Sequence, residues 1–435
     1  MSYTIKKLTG LEILDSRGRP TVQATCELKS GAVGSVSVPS GASTGTAEAL
    51  ELRDGDPARY AGLGCRKAAS HISQEIHKAF QLRIFNTQTE LDHALISLDN
   101  TPNKARLGAN AILAVSLAFA RAAAKQRGVP LYQHFAHLIN TDVGAQHAAP
   151  LRLPRLTVNL FSGGKHAGGQ VPIQDVLLVP HASTIDEGLA HVYAVYQSAA
   201  KLILQKYGMR ALSADEGGLA PNFPSAEAML SDAVEAIRGA GLVPGQHVSL
   251  AVDVASTQFF HDGKYHLGAQ SLSSTEMIDH LLGWLDHYPI VSIEDGLYED
   301  DWAHWPAWCA AVGQRALVLG DDFLCTNPTR IQRAIDANAA NALLLKVNQI
   351  GTLTEAAEAR RLAKAAGWHV TVSARSGETE DTWLADLAVA WGDQIKVGSI
   401  TQSERLAKYN RLLQIESDTH LPIVCWPNQP LQKAS

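Results

Sequence analysis

The sequence predicts an α/β protein in which a closed β/α barrel is preceded by an α+β unit. Three observations lead there. The first 135 or so residues open with strand-like segments separated by Gly and Pro turns, then become helical. After about residue 154, short apolar runs alternate with Ala-rich helical stretches, the pattern of repeated β/α units. Several of those runs end in a charged residue, as strands do at the C-terminal mouth of a barrel. A chain of 435 residues also exceeds one ordinary core. Two domains are therefore expected, 1–139 for the α+β unit and 140–435 for the barrel.

In the first unit, Tyr3–Leu14, Thr21–Lys29 and Val33–Val38 read as an antiparallel meander. Helical stretches follow over Pro57–Phe80 and Lys104–Arg127. The second is apolar almost all round and predicts a buried helix. Asn140–Pro154, polar and then proline-flanked, reads as a linker. The later apolar runs are SLAVD with Asp253, IVSIED with Glu294 and ALVLGDD with Asp321. LLLKVN with Lys346, VTVSARS with Arg375 and QIK with Lys396 complete the series. Their spacing, roughly 20–40 residues, is about one β/α unit per step. Three acidic ends and then three basic ones should converge on one mouth.

Composition narrows the function classes. Hydrophobic residues at 46% and charged residues at 18% fit a soluble globular chain. The net charge of −6 carries no Lys/Arg stripe, which argues against nucleic acid or an anionic membrane as partner. Cys26, Cys65, Cys309, Cys325 and Cys425 are scattered and form no C-x-x-C pair, so neither a disulfide framework nor a zinc site is expected. MSYTIKKL lacks the apolar core of a signal peptide, and Ala111–Ala120 is too short to span a bilayer. The expected location is cytoplasmic.

The strand ends point to a chemistry. Three carboxylates without His or Cys suit a hard, oxygen-preferring cation such as Mg²⁺. The plainer reading is an acidic rim neutralised by Lys and Arg. Carboxylates that end apolar runs, however, face a partly buried mouth, where unpaired negative charge is costly unless a cation joins it. Lys346 sits inside the apolar run LLLKVN. Desolvation, with Lys396 and a metal nearby, would lower its pKa toward that of a usable base, the plainer alternative being a core lysine paired with an acid. Metal plus lysine suits abstraction of a proton next to a carboxylate, with the metal holding the enolate-like charge. Arg375 and Ser376 suit an anionic group such as phosphate.

Longer segments carry a resemblance. LDSRGRPTV near the start, VPSGASTGTAEALELRDGD from Val38, SADEGGLAPN from Ser213 and LLLKVNQIGTLTEA from Leu343 resemble enolase, the phosphopyruvate hydratase of glycolysis. GKHAGG at Gly164, SIED at Ser292, DDFLCTNP at Asp321, SGETEDT at Ser376 and SERLAKYN at Ser403 extend it over nearly the whole chain. The resemblance implies an α+β capping domain, an unusual β/α barrel, a homodimer, and elimination of water from a small phosphorylated carboxylic acid. It implies Lys346 as the base that takes the C2 proton, and Glu216 as the acid that helps the C3 hydroxyl leave. Asp253, Glu294 and Asp321 would bind the first Mg²⁺, and Ser43 would help hold a second. Gln174, Arg375, Ser376 and Lys396 would bind substrate, with Arg375 and Ser376 on phosphate and Lys396 on the carboxylate. His166, in a second closing loop, and Asp175, near the acid, complete the site.

The chain departs from the family pattern at defined places. Ala374 replaces a His just before Arg375, which opens space beside the leaving hydroxyl and the phosphate. Asp175 replaces a Glu and withdraws its carboxylate by about one bond length, roughly 1.5 Å. Gly296 replaces a Pro and would loosen the turn after Glu294. Gln23 and Gln414 replace a Glu and an Arg that pair across the family's dimer interface, which puts that contact in doubt. These changes leave two substrates open, 2-phosphoglycerate and a phosphonate or carboxyphosphonate analogue. A non-catalytic binding protein that kept the fold is the alternative of another class.

Overall fold

The computed structural model describes residues 2–41, 45–140, 150–208 and 212–425. Ser43 and most of the expected linker lie outside them.

The first unit is built on an antiparallel sheet of β1 (Tyr3–Leu14), β2 (Pro20–Leu28), β3 (Val33–Ser37) and β4 (Ile84–Phe85), in the order β3-β2-β1-β4. Asp15 closes the β1–β2 turn by accepting the N–H of Arg17 and of Arg19, both at 2.9 Å. The helix Ala109–Arg127 lies across β2 and β3 and is buried almost all round, as its composition predicts. Gly34 makes that approach possible, because a Cβ there would fall 2.2 Å from the Ala118 carbonyl oxygen.

Both predicted helices begin later than expected. Tyr60 and Ala61 have positive φ, and Asp54 accepts from the N–H of Arg66 (3.0 Å) and Lys67 (2.9 Å). The first helix therefore starts at Arg66–His71 and runs through a π turn, Ile72–Ile76, to His77–Phe80. Positive φ at Lys104 and Gly108 delays the second to Ala109. Two shorter helices, Gln88–Asp99 and Leu131–Asn140, complete the unit.

The second unit is a closed barrel. Its strands are β5 (Arg155–Ser162), β6 (Asp175–Pro180) and β7 (Val248–Asp253), then, after a small sheet of β8 (Phe260–His261), β9 (Lys264–Leu267) and β10 (Gln270–Leu272), β11 (Ile290–Glu294), β12 (Leu317–Gly320), β13 (Ala342–Leu345), β14 (His369–Ser373) and β15 (Gln394–Gly398). They close in the order β11-β12-β13-β14-β15-β5-β6-β7. All neighbours are parallel except β6, which runs antiparallel to β5 and β7. Because β6 is reversed, its first residue, Asp175, pairs with the last residue of β7, Asp253.

Strands β6, β7, β11, β12 and β13 are mainly apolar because both faces are covered. By contrast, β5, β14 and β15 carry interior polar residues such as Asn159, Thr371 and Lys396. Leu177, Val179, Ala251, Leu317, Leu319, Ala342 and Leu344 form an inner plug, while alternate residues pack outward on the helices. Asp175, Asp253, Glu294 and Lys396 lie toward the mouth, whereas Arg155 opens β5 at the opposite end.

The first unit caps that mouth. Ser40 and Gly377 exchange backbone hydrogen bonds (2.8 and 3.0 Å), and the Ala49 N–H donates to the Gln349 carbonyl (2.8 Å). Trp383 Nε1 donates to the Ser37 carbonyl at 3.1 Å, and Arg121 pairs with Asp381. Among the described residues no helix is long and apolar enough to cross a membrane.

Candidate active site

Register builds the acidic side of the site. Glu294, the last residue of β11, pairs with Asp253 at the end of β7, and Asp321 directly follows β12. All three carboxylates are buried. Lys396, within β15, reaches between two of them: its Nζ donates to Asp253 Oδ2 (2.8 Å) and Glu294 Oε2 (2.7 Å). Lys346, the residue after β13, donates its Nζ to Asp321 Oδ2. Its backbone is fixed by an N–H bond to Thr326 Oγ1 at 2.9 Å. Gln349 Nε2 donates to the other Asp321 oxygen at 2.8 Å, and Gln174 Nε2 to Asp253 Oδ2 at 3.0 Å.

The side chains thus adopt the plainer arrangement foreseen from sequence, acids paired with the barrel's own lysines. The lowering of the Lys346 pKa is expected with a metal beside it; with Asp321 as the partner of its ammonium the balance is different. Burial is the largest influence and pushes the pKa down, but the Asp321 and Glu294 carboxylates together hold the lysine above its ordinary value. For Lys396, burial is likewise overcome, and the paired acids raise it well above the ordinary range. Burial, then the Asp253 charge, drive Glu294 well above the usual carboxylate range. For Asp253, burial is outweighed by Lys396, which holds it below.

The donor set nevertheless fits a hard divalent cation. It is all oxygen, three carboxylates face two ammonium groups, and buried Glu294 Oε1 has no hydrogen-bond partner. A tighter acidic group also forms from Asp295, Asp321 and Asp322. Asp295 fastens the ends of two strands by accepting the N–H of Asp321 (2.9 Å) and Asp322 (2.8 Å). It was missed in the sequence although SIED and DDF each carry a second acid after the strand end. Gly296, expected to loosen this turn, is instead packed, since a Cβ there would lie 3.1 Å from the Trp308 ring.

A second cluster stands across the mouth. The loop after β5 brings His166 between two acids: Nδ1 lies 2.9 Å from Asp175 Oδ2, and Nε2 lies 3.6 Å from Glu216 Oε1. Ser162 Oγ donates to Asp175 Oδ1 at 2.6 Å and Asn159 Nδ2 to Glu216 Oε2 at 3.1 Å. Gly398, at φ +113, lets the Glu216 backbone approach, because a Cβ there would meet the Glu216 oxygen at 2.9 Å. Burial opposes charge on His166, but the Asp175 and Glu216 carboxylates win and raise it to about 9. The two acids are pushed apart. Burial raises Asp175 despite His166, whereas for Glu216 burial is outweighed by His166, Arg405 and Lys396, which lower it. The cluster therefore keeps a proton on the imidazole at neutral pH, with Glu216 ionised beside it.

Arg375 and Ser376 follow β14 and are buried. Arg375 pairs with Glu48 of the first unit (3.0 Å), and Arg17 NH1 donates to Ser376 Oγ (3.0 Å). Lys346, Glu216, His166, Gln174, Asp253, Ala374, Arg375, Ser376 and Lys396 line one cavity of about 20 Å³. That is room for a water or so and not for a phosphorylated acid, so these groups face one another directly. Of the residues expected at the site, only Ser43 falls outside the described chain; Glu294 and Asp321 join it through the lysines, and Asp175 through His166.

A family model for the N-terminal domain of enolase matches residues 5–135, and one for its C-terminal TIM barrel domain matches residues 150–421. The chain belongs to the enolase family. Both halves of that match correspond to the architecture described above, and this enolase-family chain is accordingly a hydro-lyase.

Proposed function

We propose that this enolase-family chain abstracts the proton next to a carboxylate and eliminates water from 2-phosphoglycerate or a close phosphonate or carboxyphosphonate analogue. The observation that carries this reading is that Lys346 and Glu216 line the same cavity as Arg375, Ser376 and Lys396. A base, a proton donor and three anion-binding groups thereby share one space. Lys396 and Gln174 would orient the substrate carboxylate, and Arg375 with Ser376 its phosphoryl or phosphonyl group. Lys346 would act as the neutral amine, its ammonium proton first released to solvent once a cation takes over the Asp321 charge, and Nζ would then accept the C2 proton. Glu216 would pass to the departing hydroxyl a proton supplied from His166, which Asp175 orients through Nδ1. Mg²⁺ on Asp253, Glu294 and Asp321 would draw the Asp321 charge from Lys346 and stabilise the enolate-like charge.

Ala374 favours the analogue as a second reading. It lines the cavity with only a methyl group, and its N–H is tied to the Lys396 carbonyl at 2.8 Å. A methyl group in place of a larger side chain would leave room there for an additional substrate group when the site opens to admit substrate. The test is turnover of 2-phosphoglycerate with Mg²⁺, in the wild type and in Ala374→His. Robust wild-type turnover makes 2-phosphoglycerate the substrate, and absence of turnover that Ala374→His restores favours the analogue. No activity on any of these acids contradicts the proposal.

The proposal extends to a homodimer in the cytoplasm. Gln23 and Gln414 are each bonded within their own chain, to Ser37 Oγ (3.1 Å) and from Arg411 NH1 (2.8 Å). A dimer would thus form without an ion pair at these two positions, and sedimentation velocity tests its presence.

A further inference from the structure

The anion end of the site is gripped by a residue of the first unit. Arg375 NH1 donates to Glu48 Oε2 at 3.0 Å and NH2 to Glu48 Oε1 at 3.2 Å, a bidentate pair. Both side chains are buried, with exposures of 3% and 8%. NH1 also donates to Asn348 Oδ1 at 3.0 Å. Glu48 Oε1 is itself held by the Gly45 N–H (3.1 Å) and by Gln349 Nε2 (3.4 Å). The backbone at Gly41 closes on the guanidinium, where an added Cβ would fall 2.1 Å from NH2.

Two carboxylate oxygens on one guanidinium edge fix the plane of the fork, which a single contact would not do. Arg375 lines the cavity shared with Lys346 and Glu216, whereas Glu48 is absent from its lining among the described residues. Glu48 thus holds Arg375 without reaching the cavity itself. Through Gln349, which also donates to Asp321 Oδ1 at 2.8 Å, the same carboxylate is linked to the acidic side of the mouth.

We propose that Glu48 is a positioning residue for the anion site, through which the first unit sets the orientation in which Arg375 meets a phosphoryl or phosphonyl group. This rests on the reading of Arg375 as an anion-binding group given above. The test uses the full chain and inorganic orthophosphate as probe, so it does not depend on turnover. Glu48→Asp keeps the charge but shortens the reach by about 1.5 Å, and Glu48→Gln keeps the shape but removes the charge. Calorimetric titration should show both variants binding orthophosphate about tenfold more weakly, the scale of a lost charge-assisted bond. With the acid that the wild type turns over, KM should rise by a similar factor while kcat stays within about twofold.

Two variants of opposite design guard against a folding defect in one of them. Glu48→Gln binding orthophosphate as tightly as the wild type, or more tightly, overturns the proposal, since Glu48 would then compete for Arg375. A kcat loss without a change in KM overturns it equally. Equal orthophosphate binding by wild type and Arg375→Lys refutes the reading of Arg375 itself, and the proposal falls with it.

Discussion

Replacing Lys346 by Met tests both the buried pair seen in the structure and the role of base proposed above. The ammonium is buried against Asp321, and its removal leaves a buried carboxylate whose remaining side-chain donor among the described residues is the neutral Gln349. Breaking a buried pair by removing one partner costs about 3–5 kcal/mol. With Gln349 in place, the lower end, about 3 kcal/mol, is expected for unfolding by denaturant in the presence of chelator. Mg²⁺ should recover most of that loss in the variant, because the cation replaces the ammonium at Asp321. Turnover, by contrast, should not recover. A positioned general base contributes about 10²–10⁴ in rate, or about 3–5 kcal/mol of barrier. Steady-state kinetics on the acid that the wild type accepts, with saturating Mg²⁺, provides the assay. Turnover within tenfold of wild type would remove Lys346 from the role of base, and unchanged stability in chelator would refute the buried pair.

Ala374→His should shift preference toward 2-phosphoglycerate by about tenfold or more in kcat/KM, the scale of a restored polar contact, measured against an analogue bearing an extra anionic group. His166 has a folded pKa of about 9, raised above the ordinary value by Asp175 and Glu216 against burial. Its stabilising effect is therefore complete below the unfolded pKa of about 6.5 and disappears as pH rises through 9. His166→Gln should flatten the fall in stability across that window, read from denaturation midpoints at constant ionic strength. Gly34→Ala should cost about 1–3 kcal/mol by overpacking β3 against the helix Ala109–Arg127, while activity per folded molecule stays unchanged.

Much of this molecule was legible in the sequence. Asp253, Glu294, Asp321 and Lys346 stood out because their strands are mainly apolar up to the mouth, and Arg375 and Lys396 because they extend that series. Less legible were the residues whose position depends on topology. Asp175 opens a strand instead of closing one, and only the reversed direction of β6 brings it level with Asp253. It entered through resemblance alone. Glu48 lies in a loop of the other unit, and nothing in its local sequence signals a guanidinium more than 300 residues away. Helix starts were misplaced where left-handed residues such as Tyr60, Ala61 and Lys104 interrupt an otherwise helical composition. The sign of the Lys346 shift depended on which partner reached it first, and spacing along the chain does not encode that contact.

The central claim is that Lys346 removes the proton next to the substrate carboxylate. It is tested most directly by incubating the protein with Mg²⁺ and 2-phosphoglycerate, or the analogue it accepts, in deuterium oxide and following the C2 proton by NMR. The account predicts loss of the C2 proton signal, together with formation of the enol product, in the wild type and neither in Lys346→Met. Exchange that persists in Lys346→Met, or elimination without any dependence on that lysine, would contradict it.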